Sequence, residues 1–251
     1  MQEQFVLTVP EGKRLIARAI GSHPPVKQAL HEGTVIICSG STNAYVYEEL
    51  TGKSIEKWRF ITGHMVPSTG IRGSKDPSAE IANLVIRQGK PDRSSDWVAA
   101  LADLGPGDVI LKGANALNYE RRQAAVLIGH PEGGTVGRMV GVAVARRVCL
   151  IHPVGLEKSV PGDLHEAANR IASATGGFGK RSSTLWVSWG QVFTEIEAME
   201  TLFEVRATPI GAGGIGGAEG CIRLLVEGTA EQVTAAGKLV EQIAGEPGVL
   251  M

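Results

Sequence analysis

The chain has 251 residues, 43% hydrophobic and 20% charged, a balance that excludes a disordered protein and allows one large domain, alone or with a smaller one. Lys and Arg number 25 against 26 Asp and Glu, a net charge of −1, so no basic excess is available for nucleic acid. No apolar run approaches the roughly 20 residues that span a bilayer, and the first residues do not read as a leader. No membrane partner is expected, and the cytoplasm is the expected compartment. Cys38, Cys149 and Cys221 lie in or beside apolar runs and read as buried reduced thiols.

In chain order, Phe5–Val9 reads as a short strand and Glu11–Gly33 as helix interrupted at Pro24-Pro25. Gly33–Cys38 is a continuous apolar run, the pattern of a strand covered on both faces in a parallel sheet. Ser39-Gly40-Ser41-Thr42-Asn43 follows, then a helix from Ala44 to Leu50. Trp58–Ile61 reads as a strand leading into the loop 64–76, Asp96–Leu104 as a helix, and Asp108–Leu111 as a strand ending in Lys112-Gly113-Ala114-Asn115. Gln123–Ile128 is apolar, Thr135–Arg147 helical and Val148–Ile151 a strand. The alternation predicts an α/β fold with a Rossmann-like open, mostly parallel sheet over residues 1–190. Val192–Thr194, Glu195–Glu204, Val205–Ile210, Cys221–Val226 and a Thr229-capped helix to Ala244 give the order β-α-β-β-α. That order predicts a small ferredoxin-like α+β module over 191–251, with Trp186 and Trp189 packed between the two units.

Glycine is in excess, with 33 residues clustered at SGSTN, LKGAN, GHPEGGTVG, TGGFGK and GAGGIGGAEG. A glycine between a strand and a helix permits close approach of backbone to a ligand. Unpaired N–H groups at a helix start carry the positive end of the helix dipole and bind phosphate or carboxylate. Ser39, Gly40, Ser41, Thr42 and Asn43 therefore form the leading candidate for an anion site, against the plain alternative of a capped turn. Gly134 and Thr135 open the helix after His130 in the same way. Lys112, with Gly113 and Asn115 beside it, follows a buried strand, where an ammonium could hold an oxyanion. Cys149, His152 and His165 match no common zinc spacing, so neither metal nor cofactor is expected. GAGGIGGAEG lies between two strands rather than ahead of a helix, which suits a hairpin or a contact between subunits of a homo-oligomer better than a dinucleotide loop.

The run from Ile36 to Tyr45, with Glu48-Glu49-Leu50 after it, resembles the phosphate loop and helix of the ribose-5-phosphate isomerase A family. The superfamily of those enzymes also holds glucosamine-6-phosphate deaminase-like and CoA-transferase-like proteins. Val109–Leu117 is similar to the family's lysine-containing catalytic loop. Glu120 falls one residue from the place of the family's catalytic glutamate, and Lys158 where the family has a lysine turn. The family's Gly-Ala-Asp-Glu segment has no counterpart here; Asp103 and Asp108 lie nearest.

The resemblance implies a phosphorylated or otherwise anionic small metabolite as partner and sugar-phosphate isomerisation by proton transfer. Lys112 would stabilise the oxyanion, Glu120 or Asp108 would be the base, and Lys158 would join the ligand-binding set. A non-catalytic metabolite sensor and a CoA-ester or acyl-group enzyme are the alternatives.

Overall fold

The computed structural model describes residues 1–63, 65, 80–92, 94, 96–173 and 183–249. His64, most of the 64–76 loop and the TGGFGK cluster lie outside the described residues.

The chain opens with β1 (Gln2–Leu7), α1 (Val9–Ile20) and α2 (Pro24–Glu32). Thr8 starts α1 in a capping box with Glu11, satisfying two backbone N–H groups that a helix start leaves open. The Pro24-Pro25 pair sits at the start of α2, where a missing N–H costs nothing. Next come β2 (Thr34–Ile37), α3 (Ser41–Thr51), β3 (Leu84–Arg87) and β4 (Lys90–Asp92). The Trp58–Ile61 strand expectation is corrected: Lys57–Phe60 is a 3₁₀ turn.

Then follow α4 (Trp97–Ala100), β5 (Val109–Leu111), β6 (Ala116–Asn118), β7 (Gln123–Ile128), α5 (Gly134–Ala145), β8 (Cys149–Pro153) and α6 (Leu164–Ala172). The last elements are β9 (Thr184–Ser188), β10 (Gln191–Phe193), α7 (Glu195–Phe203), β11 (Arg206–Ala212), β12 (Ile222–Glu227) and α8 (Ala230–Ile243).

The fold is mixed α/β around a six-stranded sheet of order β10-β8-β5-β2-β3-β4. The four strands β10, β8, β5 and β2 are parallel, while β3 and β4 add an antiparallel flank. Alternate residues of the parallel strands feed two cores. Val35, Ile37, Val109, Leu111 and Ile151 join α1 and α3 residues such as Leu15 and Tyr45 in one. Ile36, Cys38, Ile110 and Leu150 join Leu101, Met139 and Ala143 in the other. Burial on both faces explains the unbroken apolar runs of β2 and β5.

Two smaller sheets flank this one. β6-β7-β9 is antiparallel, so the run Gln123–Ile128 lies outside the main sheet. In the other, β12 sits between β11 and β1. This corrects the expected division at residue 190 in two places. β10, expected in the small module, pairs with β8 of the large sheet, and the small sheet takes its third strand from the N-terminus. The 211–220 glycine run is a hairpin connection between β11 and β12, with Ile215 in solvent. Trp186 and Trp189 are 41% and 47% exposed, so they do not form the expected packing layer.

Asp108, a candidate base, stands ahead of β5, at the amino edge of the parallel strands. Its carboxylate accepts from the backbone N–H of Thr34 at 2.6 Å and of Gly105 at 2.8 Å. It joins the start of β2 to the turn before β5, and its role is structural. Asp108→Ala strands two partly buried N–H groups and should cost about 1–3 kcal/mol, a fall of roughly 3–10 °C in midpoint. Denaturant unfolding should show Asp108→Asn recovering part of that loss, since the amide oxygen still accepts.

Candidate functional site

The loops at the carboxyl ends of β2, β5, β8 and β10 share one edge of the sheet. After β2 the chain departs toward β3, and after β5 toward β8, on the other side. A crevice forms at the carboxyl ends wherever consecutive connections diverge in this way. Here it falls between β2 and β5.

Asn43 spans the two strands. Its side-chain amide donates to the carbonyls of Cys38 (2.7 Å) and Leu111 (2.9 Å). Its Oδ1 and the Oγ1 of Thr42 are buried with no hydrogen-bond partner among the described residues. Ser39 is fixed by its N–H to Asn83 (2.7 Å) and its hydroxyl beside that of Thr62 (2.9 Å). Gly40 stands as N-cap of α3 without any side-chain cap, its N–H donating to the Phe60 carbonyl at 2.8 Å. Among the described residues, a Cβ added there would meet nothing within 4 Å. The first turn of α3 has N–H groups with no partner inside the helix, and among the described residues the buried Thr42 hydroxyl beside them lacks a partner.

Lys112 is the first residue past β5. Its N–H donates to the Ile151 carbonyl at 2.9 Å, and its own carbonyl lies 2.6 Å from Nδ1 of buried His152. Nε2 of His152 faces the Trp189 carbonyl at 3.2 Å. Burial lowers the His152 pKa against the pull of the two carbonyls, and the ring serves as a backbone clamp. The Lys112 side chain is half-buried, and burial, with Lys158 nearby, lowers its pKa.

Glu195, the first residue of α7 after β10, was not singled out by sequence. It is 3% exposed, and its Oε2 accepts from the Leu156 N–H at 2.9 Å. Glycines in α1 and after β8 leave the room for it. A Cβ on Gly12 would lie 2.5 Å from its Oε1, and one on Gly155 would lie 3.1 Å from Oε1 and 1.8 Å from Glu157 Oε2. The two carboxyls are therefore neighbours, within about 5 Å by that geometry. Lys158 Nζ lies 3.5 Å and Lys13 Nζ 3.9 Å from Glu157 Oε1. Burial above all, then the Glu157 charge, pushes Glu195 up to about 8. Burial, then Lys158, brings Lys13 down to about 8 against the pull of Glu157 and Glu195. A carboxyl held toward its neutral form here sits beside Glu157 and two lysines, Lys158 and Lys13.

The remaining expectations divide. Lys158 falls in this cluster, and Gly113 continues the Lys112 loop. Gly134 and Thr135 begin α5, which returns the chain to the start of β8, so their end of the helix lies toward the carboxyl edge. The N-cap is Gly133, however, and no side chain caps it, Thr135 included.

Asn115 is corrected to a hairpin role: its Oδ1 accepts from the Leu127 N–H at 3.0 Å. Glu120 is corrected as well. It is exposed in the turn between β6 and β7, which Tyr119 and Arg122 tie to Glu197 of α7, and it makes no ion pair with Lys112. An open depression of about 420 Å³ beside Arg14, Arg18, Glu48, Glu49 and Glu246 is not the site, because those charges already pair with one another.

Among the described residues no group of three or more His, Cys, Asp or Glu could hold a metal ion, and no helix is long and apolar enough to cross a membrane. The chain matches no family model, curated protein or solved structure.

Glu195 binds a proton in the fold that it would release in the unfolded chain between pH 4.5 and about 8. Stability therefore falls as pH rises through that window. Glu195→Gln removes the effect: its midpoint should exceed the parent's most at pH 8.5, by about 2–4 kcal/mol or roughly 5–15 °C, and the excess should vanish near pH 5. Gly12→Ala, which helix propensity alone would favour by about 1 kcal/mol, should instead destabilise the chain through contact with Glu195. A double-mutant cycle with Glu195→Ala should restore the gain.

Proposed function

We propose that the carboxyl edge of the parallel strands binds a small anionic carbonyl metabolite, with phosphate the favoured anion, and moves a proton on it. The observation that carries this reading is the buried Glu195 carboxyl beside Glu157, Lys158 and Lys13, on the edge that also holds Lys112 and the α3 loop. The α3 start supplies the N–H groups of Ser41, Thr42 and Asn43, which have no partner inside the helix, and the unpartnered Thr42 hydroxyl to the anion. Lys158 faces the substrate carbonyl, where positive charge lowers the cost of an enediolate oxygen, and Lys112 borders the same space. Glu195 is the proton-transfer group, in the role first expected of Glu120 or Asp108. A carboxyl with a pKa near working pH can both take and return a proton, which is the chemistry of aldose–ketose isomerisation. A Rossmann-like reading of the large sheet and a ferredoxin-like reading of the small one belong with this proposal.

The test is proton exchange in D₂O followed by NMR, with ribose 5-phosphate and fructose 6-phosphate as probes. Loss of the C2 proton signal of ribose 5-phosphate, or of a C1 proton signal of fructose 6-phosphate, is expected. Glu195→Gln should slow it by at least about 100-fold while the thermal shift given by inorganic phosphate persists. Phosphate binding without exchange in the parent protein would move the reading to a metabolite sensor. A chain that neither phosphate nor either sugar stabilises would end it.

A further inference from the structure

We propose that Lys112 is an amine nucleophile that forms an imine with the carbonyl carbon of the bound metabolite; this rests on the site reading just given. Three lysines stand at the carboxyl edge, and they differ in their partners. Lys13 and Lys158 share the Glu157 carboxylate at 3.9 and 3.5 Å. Among the described residues, Lys112 Nζ has no carboxylate within 4 Å. Its single hydrogen bond is a long one, 3.4 Å to the Gly113 carbonyl.

An ammonium taken partly out of water needs a counter-charge or it gives up its proton more readily. Among the described residues, no carboxylate near Lys112 supplies one. Burial pushes the nearby Cys38 thiol up to about 12, so that group stays neutral. The other charged neighbour is Lys158, of like sign. Burial above all lowers the Lys112 pKa, with Cys38 opposing and Lys158 adding to the fall. The backbone is clamped at both its N–H and its carbonyl, by Ile151 and His152, so the amine swings from a fixed root.

The step balances without a further reactant. The Nζ lone pair forms a bond to the carbonyl carbon as the carbonyl π pair moves to oxygen. The two amine hydrogens then leave with that oxygen as water when C=N forms. Glu195, a neutral carboxyl on the same edge, can give a proton to the departing oxygen and recover one from nitrogen.

The experiment uses the full chain with pyridoxal 5′-phosphate, an aldehyde that carries phosphate. Borohydride reduction fixes any imine, and peptide mass spectrometry locates it. Lys112 should be labelled at least about 10-fold more than the exposed Lys27, Lys53, Lys90 and Lys238, and excess inorganic phosphate should suppress that label. Lys112→Met should lose the adduct while the phosphate-induced shift persists. Labelling that follows exposure, or that survives in Lys112→Met, overturns the proposal. If phosphate stabilises the parent chain but Lys112 is not labelled, the covalent step is wrong and the binding reading stands. If phosphate gives no shift, the binding reading fails, and the Lys112 label still decides the covalent step.

Discussion

Asn43 satisfies the last carbonyls of two neighbouring strands with one side-chain amide. Past those carbonyls the ladder between β2 and β5 stops, because one chain turns into α3 and the other into the Lys112 loop. The Leu111 carbonyl also accepts from the Cys38 N–H at 2.9 Å, so loss of Asn43 would deprive the buried Cys38 carbonyl of its donor, at a cost on the order of 1–3 kcal/mol. With Asn43 there, the strands can part. The α3 start and Lys112 then face each other across the opening, and the placement of the candidate site follows from that separation.

The opposite wall depends on a different compromise. Glu195 lies at a helix N-terminus, which favours a carboxylate, but burial and Glu157 favour the neutral acid more strongly. Helix α1 closes over it, and Gly12 is the residue that lets the helix come that near. Its next residue, Lys13, belongs to the cluster. Arg14, further round the same helix, is committed to Glu48, Glu49 and Glu246 elsewhere. A single helix therefore lends one cation to the site and spends the next on holding α3 and the C-terminal segment.

The sequence made the elements legible where the physics is local. Continuous apolar runs marked β2 and β5, and Thr229 marked the start of α8 through its side-chain bond to the Gln232 N–H. Lys112 and the α3 loop were legible because they abut such runs. Glu195 was not: it reads as the first residue of an amphipathic helix. Its setting depends on β10 joining β8, which no local pattern specifies. Gly12 was the available signal, a single glycine inside a helical stretch with no turn to explain it. Asp108 and Glu120 were misplaced because proximity in sequence to Lys112 says nothing about which edge of the sheet a side chain occupies.

The β1–β12 pairing joins residues more than 200 positions apart, Leu7 beside Ile222. During ribosomal synthesis at about 5–20 residues per second, β1 waits on the order of 10–40 s for its partner. Throughout that interval Phe5 and Leu7 must find temporary cover, and α1, the helix that shields Glu195, lacks the sheet beside it. The nascent chain can assemble β2, β5 and β8 well before the site has its final wall, so the proton-transfer chemistry proposed here would be among the last properties that the protein acquires.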